Sequence, residues 1–170
     1  METVLGGPSV TIDSVCANNR SRRFDATAAG RTLSLPYTRC EPEPSADDPI
    51  VELYVDPELG REGFTYTLAS GADGSILWDQ LLEYNRDPAY MRDMLLYLLT
   101  SQAQDRVAQS RLSKREIIRR LGTSPAQFYR LLDTTNYRKT IDSVVELLQV
   151  LDCDVEFVVR EREPGWSTRP

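Results

Sequence analysis

Two periodicities divide this chain. Between Phe24 and Trp78, apolar residues come in short runs, many of them alternating with polar ones, as half-buried strands require. "RRFDATAAGRTLSLPY" predicts a hairpin with strands at Phe24–Thr27 and Leu33–Tyr37 and a turn near Gly30. "RCEPEPSADDP" is too rich in proline to hold a ladder and reads as an acidic loop. "IVELYV" is the clearest strand, with Ile50, Leu53 and Val55 as its apolar set. "FTYTLAS" puts Phe64, Tyr66 and Leu68 on one face and threonines on the other. "GADG" is a tight turn, where Asp73-Gly74 suits positive φ, and "SILWD" opens the next strand. Near the start, "VTIDSV" is a candidate short strand and "ANNRSRR" a loop, so the first 20 or so residues are expected to be frayed.

After Asp87 the period changes. Asp87 suits an N-cap and Pro88 the first helical position, and Met91, Met94, Leu95, Leu98 and Leu99 recur at three and four. That spacing predicts an amphipathic linking helix over 87–110. "SKREIIRRLGTSPAQFYRLLD" follows. Ser113 with Glu116, and Ser124 with Gln127, have the spacing of capping boxes, and Gly122 between them is a helix stop. Ile117, Ile118 and Leu121 give the first helix its apolar side, and Phe128, Leu131 and Leu132 the second. Beyond the loop "DTTNYRKT", Thr140 caps a further helix lined by Ile141, Val144, Val145, Leu148 and Leu151. "DVEFVVR" then alternates like a strand before the tail at 161–170.

Charge sharpens this picture. The 170 residues carry a net charge of −6, yet Arg111–Lys139 holds eight basic residues and two acidic ones, a local +6 that leaves −12 for the remainder. A polyanionic partner is what a positive patch on an acidic protein suits. Histidine is absent, which excludes Ser-His-Asp and Cys-His catalysts, and the three cysteines form no C-x-x-C pair. Cysteine usage of this kind points to a reducing cytoplasm rather than to a disulfide framework or a zinc site. Asp47, Asp48, Asp56 and Glu58 sit beside prolines and read as turn residues. No apolar run approaches the roughly 20 residues of a membrane helix. Catalysis, metal and cofactor are therefore not expected.

Two short helices joined by a turn containing glycine match a helix-turn-helix, whose second helix lies in the major groove of DNA. Ser124, Ala126, Gln127 and Arg130 are then the residues directed at DNA. Gln127 suits adenine and Arg130 suits guanine, while Ser124 and the free N–H groups beside it suit a phosphate. Lys114, Arg115, Arg138 and Lys139 are candidate phosphate contacts, and Tyr129 is placed either on phosphate and sugar or in the core. Thr123 and Asn136 complete the candidate set.

The segment "LSKREIIRRLGTSPAQFYRLLDTTNYRKTIDSVVELLQVLDCDVEF" resembles the Cro and phage-repressor type of helix-turn-helix, the XRE family, and especially its short antitoxin-like members. The resemblance covers Leu112 to about Val159. It implies operator binding, usually as a dimer, and often autorepression. Two features depart from the family: Lys114 stands where a glutamine is usual, and the turn after the second helix is longer, so base preference does not carry over. The "L-x-S-G-x-x-G-S-I-x-W" hairpin of the first half resembles small β-rich bacterial domains fused to such segments, and no activity follows from it.

The expected architecture is α+β: a flexible start (1–20), a small antiparallel β domain (21–86), the linking helix (87–110), a helix-turn-helix domain (111–160) and a tail. The expected function is sequence-specific binding of double-stranded DNA by a homodimeric transcriptional regulator. The alternative is an interaction module, an antitoxin or adaptor whose β half neutralises a partner protein while its helical half dimerises. The apolar face of the linking helix and the terminal strand are the candidate dimer interfaces.

Overall fold

The computed structural model describes residues 10–161 and has an α+β architecture. Six strands precede five α-helices, and the chain divides into two compact units between Leu95 and Leu96.

The first unit contains two three-stranded antiparallel sheets, β1-β2-β3 and β4-β5-β6. Strands β1 (Ser14–Asn18), β2 (Arg23–Ala28) and β3 (Arg31–Pro36) form the first, with β2 and β3 joined at Ala29-Gly30 as the alternation predicts. The start of the chain departs from expectation. From Val10 onward it is built into the unit: Ile12 is fully buried, its N–H donates to the Arg61 carbonyl at 2.7 Å, and β1 pairs along its whole length with β2. Residues 1–9 of the expected flexible segment lie outside the described residues.

The second sheet comprises β4 (Ile50–Val55), β5 (Gly63–Leu68) and β6 (Asp73–Leu77). Ile50 and Leu53 are an odd number of residues apart, so a regular strand would turn them to opposite faces. A bulge between Ile50 and Glu52 absorbs the extra residue and lets both pack on the core, leaving Val51 exposed. The β5–β6 turn lies earlier than expected. Gly71, with φ +87°, makes it, while Gly74 pairs with Tyr66 inside the ladder. A Cβ on Gly74 would meet the Tyr66 hydroxyl oxygen and would come within 2.8 Å of the Glu41 carbonyl. This glycine answers to close approach, not to backbone conformation.

One aromatic cluster fills this unit. Phe24 lies 4.9, 5.1 and 5.0 Å, ring centre to ring centre, from Tyr37, Phe64 and Tyr66. Trp78 does not extend β6. It opens a seven-residue helix, α1 (Trp78–Tyr84), which packs on β3 and β6 and buries Trp78 and Leu81. The Gln80 side chain accepts the Leu77 N–H at 2.8 Å and so starts the helix.

Helix α2 (Pro88–Gln109) begins as predicted: Asp87 accepts the Tyr90 N–H at 2.9 Å. Its buried stripe is another one, however: Leu96, Thr100, Ala103 and Val107. Leu95 and Leu98, expected inside, are half exposed. Both stripes have helical spacing, and the neighbours of the helix choose between them.

In the second unit, α3 (Lys114–Leu121), α4 (Pro125–Leu132) and α5 (Ile141–Val150) pack with the end of α2 around Ile117, Phe128, Val144 and Leu147, all fully buried. Gln104 of α2 donates to the Leu132 carbonyl at 2.7 Å, tying α2 to the end of α4. No strand forms over residues 154–160. The predicted alternation is present and a pairing neighbour is absent among the described residues.

Candidate nucleic-acid interface

The surface of α3 and α4 is set by their caps. Ser113 Oγ accepts the Glu116 N–H, and Ser124 Oγ accepts the Gln127 N–H, each at 3.2 Å. Gly122 ends α3 at φ +65°, a left-handed conformation that costs glycine little. Thr123 then leads directly into the α4 cap, and Pro125 takes the first helical position.

The capping box at Ser113 is only half formed. The Glu116 carboxylate turns forward along the helix to Arg119 (2.7 and 2.9 Å) and Arg120 (2.8 Å). Hydrogen bonds from these guanidiniums push the Glu116 carboxyl down to about 2, and Arg119 is raised in turn by the same contact. Two of the eight cations in the basic segment are therefore paired locally with one acid, which leaves the three side chains with a net charge of +1.

Helix α4 inserts Phe128, packs Leu131 and Leu132 partly against the same core, and exposes Ser124 to Gln127, Tyr129 and Arg130. Phe128 is fully buried, whereas Ser124, Ala126, Gln127 and Arg130 are exposed. Tyr129 belongs to this outer surface, at 54% exposure. Its ring meets Phe128 edge-on at 5.5 Å, and Lys114 Nζ lies 5.7 Å from the ring centre. That separation permits a cation–π contact between α3 and α4. Lys114 and Arg115 are exposed on the first turn of α3.

The loop after α4 uses two candidate residues for its own structure. Asn136 donates to the Arg130 carbonyl at 3.0 Å, and its side-chain oxygen accepts the Arg138 N–H at 3.2 Å. Lys139 Nζ donates to the carbonyls of Leu131 (3.0 Å) and Asp133 (2.5 Å), at the C-terminus of α4 where a cation is favoured. Burial lowers the Lys139 ammonium pKa, against the pull of Asp133. Arg138, by contrast, stands exposed. Asp133 accepts from the Thr135 hydroxyl and N–H, which hold its carboxyl below the usual range.

Thr123, Gln127, Arg130, Asn136, Arg138 and Lys139 line one shallow depression of about 400 Å³ between α4, the loop and the start of α5. Ser124, Ala126 and Tyr129 are not part of its lining and lie on the outer surface of α4, while Lys114 and Arg115 belong to α3. The sequence reading missed the Glu116 clamp, although the spacings to Arg119 (i,i+3) and Arg120 (i,i+4) were visible. Lys139, expected at phosphate, donates here to two carbonyls at the end of α4, contacts that the sequence reading did not foresee.

Among the described residues, no helix is long and apolar enough to cross a membrane. No protein-family model, no curated protein and no solved structure matches the chain.

Proposed function

We propose that the protein binds double-stranded DNA in a sequence-specific way through α3 and α4, as a transcriptional regulator or autorepressor. One observation carries this reading. Helix α4 is anchored by Phe128, and it leaves Ser124, Ala126, Gln127, Tyr129 and Arg130 exposed beside Lys114, Arg115 and Arg138. An exposed helix N-terminus flanked by cations suits a phosphate backbone, and Gln127 and Arg130 are side chains that pair with base edges in two-point contacts. The resemblance of "IIRRLGTSPAQFYRLLD" to the Cro and phage-repressor motif supports the same reading. Arg130 and Gln127 are assigned to bases, and Lys114, Arg115 and Arg138 to phosphates. Asn136 and Lys139 hold the loop in place behind them. The chemistry needed is recognition, not catalysis.

The test is selection of bound genomic fragments followed by footprinting and a salt titration. With about four phosphates contacted, log affinity should fall against log salt with a slope of roughly −3.6. No bound fragment, or a flat response between about 50 and 200 mM salt, would overturn the proposal.

A second reading rests on the β unit. Val51 and Tyr54 on β4 are 63% and 40% exposed, an apolar pair suited to a protein partner. In that reading the protein is an antitoxin or adaptor, and its binding to the partner survives charge removal at Arg130 and Arg138.

A further inference from the structure

The register of the second sheet defines its outer face. Tyr54, Thr65 and Ser75 stand side by side across β4, β5 and β6, and Glu52, Thr67 and Asp73 form the next row on the same side. These rows alternate with Leu53–Tyr66 and Val55–Phe64–Ile76, which pack in the core. Asp56, just beyond β4, belongs to the outer face as well, because its carboxylate accepts the Thr65 hydroxyl at 2.6 Å. Along this edge of the sheet the outer side chains therefore run Glu52, Tyr54, Asp56: acid, ring, acid.

The charged residues that these strands place on the face are all acids. From Ile50 to Leu77 the sequence has five acids, Glu52, Asp56, Glu58, Glu62 and Asp73, and one base, Arg61, whose guanidinium donates to the Ile12 carbonyl. Glu52, Glu58 and Asp73 are exposed, and none of them forms an ion pair with another described residue. Tyr54 stands among them at 40% exposure. Its hydroxyl is raised first by burial and then by Asp56, Glu52, Glu58 and Asp73, so all four carboxylates reach this ring. Asp56 stays ionised there, held below the usual carboxylate range by the Thr65 hydroxyl and by the N–H groups of Glu58 and Leu59. An apolar partner laid on Tyr54 would cover these carboxylates and offer them no counter-charge, which is costly. An arginine or lysine laid there meets the electron-rich face of the ring and the carboxylates together.

We propose that the outer face of β4-β5-β6 docks a basic segment of a partner protein, with an arginine or lysine over the Tyr54 ring and its neighbours paired with Glu52, Glu58 and Asp73. This rests on the second reading, in which the β unit meets a partner protein, and it names the chemistry of that partner. The face repels nucleic acid, so the proposal stands or falls separately from DNA binding by α3 and α4.

Amide chemical-shift mapping of the isotope-labelled full chain tests the proposal, with three blocked peptides as probes: arginine, leucine or glutamate, each alternating with serine. The arginine peptide should shift residues 52–56, 65–67 and 73–75 saturably, and the glutamate peptide should not. Tyr54→Ala should weaken arginine-peptide binding about fivefold, and Tyr54→Phe, which keeps the ring, should not. The double variant E52Q/D73N, altered only at exposed side chains, should weaken it about tenfold. The same spectra show whether each variant is folded. Equal shifts over residues 41–48, which carry four acids of their own, would mark general attraction to an acidic unit and overturn the proposal. So would binding indifferent to Tyr54→Ala and to E52Q/D73N. A leucine peptide that binds this face more tightly than the arginine peptide overturns the cationic partner and leaves the second reading standing. If no peptide shifts the face, both fall.

Discussion

The two units solve the same problem with different materials. The β unit carries eight basic and sixteen acidic residues, a net −8, and is held by an aromatic cluster around Phe24. The helical unit carries twelve basic and ten acidic residues, a net +2, and is held by aliphatic side chains around one buried ring, Phe128. An aromatic core permits a small sheet unit because each ring buries a large area. The helical core is leaner, and the outer surface of α4 stays unpacked. The comparison teaches that cohesion and exposed chemistry are kept in different parts of the chain, and single substitutions can separate them.

The largest effects should come from the two cores. Phe128→Ala and Phe24→Ala should each cost about 3–5 kcal/mol in the unit that contains them. Urea unfolding, read by helical and by aromatic circular dichroism, measures both. Phe128→Ala should also abolish DNA binding, whereas Phe24→Ala should leave it intact. Equal damage to binding by both would break the comparison. Next comes Arg130→Ala, expected to cost about 1–3 kcal/mol on the selected DNA site and much less on a scrambled duplex. Equal losses on the two duplexes would reduce Arg130 to a phosphate contact. Gly74→Ala tests the other unit. The added methyl group must displace Tyr66 or the Glu41 backbone, so about 1–3 kcal/mol of stability should be lost with DNA affinity unchanged.

Smaller effects sharpen the division within the basic segment. Lys139→Ala should cost about 0.5–1.5 kcal/mol of folding stability, through two lost carbonyl contacts, and leave the salt slope alone. Arg138→Ala should leave stability alone and reduce the slope by about one. The smallest effect concerns acid. The Glu116 carboxyl sits at about 2 when folded, below its ordinary 4.5, so its contribution is present above about pH 4.5 and is lost as pH falls toward 2. The difference in unfolding midpoint between wild type and Glu116→Gln should be constant above about pH 5 and shrink below it. A difference that persists unchanged to pH 2 would disprove the clamp.

What was legible in the sequence follows from how local its cause was. The starts of α3, α4 and α5 depend on a serine or threonine and the residue three further on, and all three were read correctly. Strands β2 to β5 were marked by apolar runs between turn residues, and these too were found. The buried stripe of α2 was misread because Leu96 and Leu95 are equally apolar and only packing distinguishes them. Helix α1, at seven residues, is too short to display a period. Gly74 was taken for a turn because a glycine looks the same whether it serves backbone freedom or close contact. In the candidate site, the exposed surface of α4 was legible from the positions of Phe128, Leu131 and Leu132. The roles of Lys139 and Asn136 were not, since they depend on how the loop folds back on the helix end.

The bulge in β4 has a consequence for how the length of this chain can vary. Val51 is the residue that breaks the alternation, and without it "IELYV" would run apolar–polar in perfect step from Ile50 to Val55. A strand interior normally rejects a one-residue deletion, because every later side chain changes face. Here the deletion would remove an exposed apolar side chain and the irregularity together, and Leu53 and Val55 would keep their places in the core. Position 51 is thus a point inside a strand where the protein can lose a residue and keep its register.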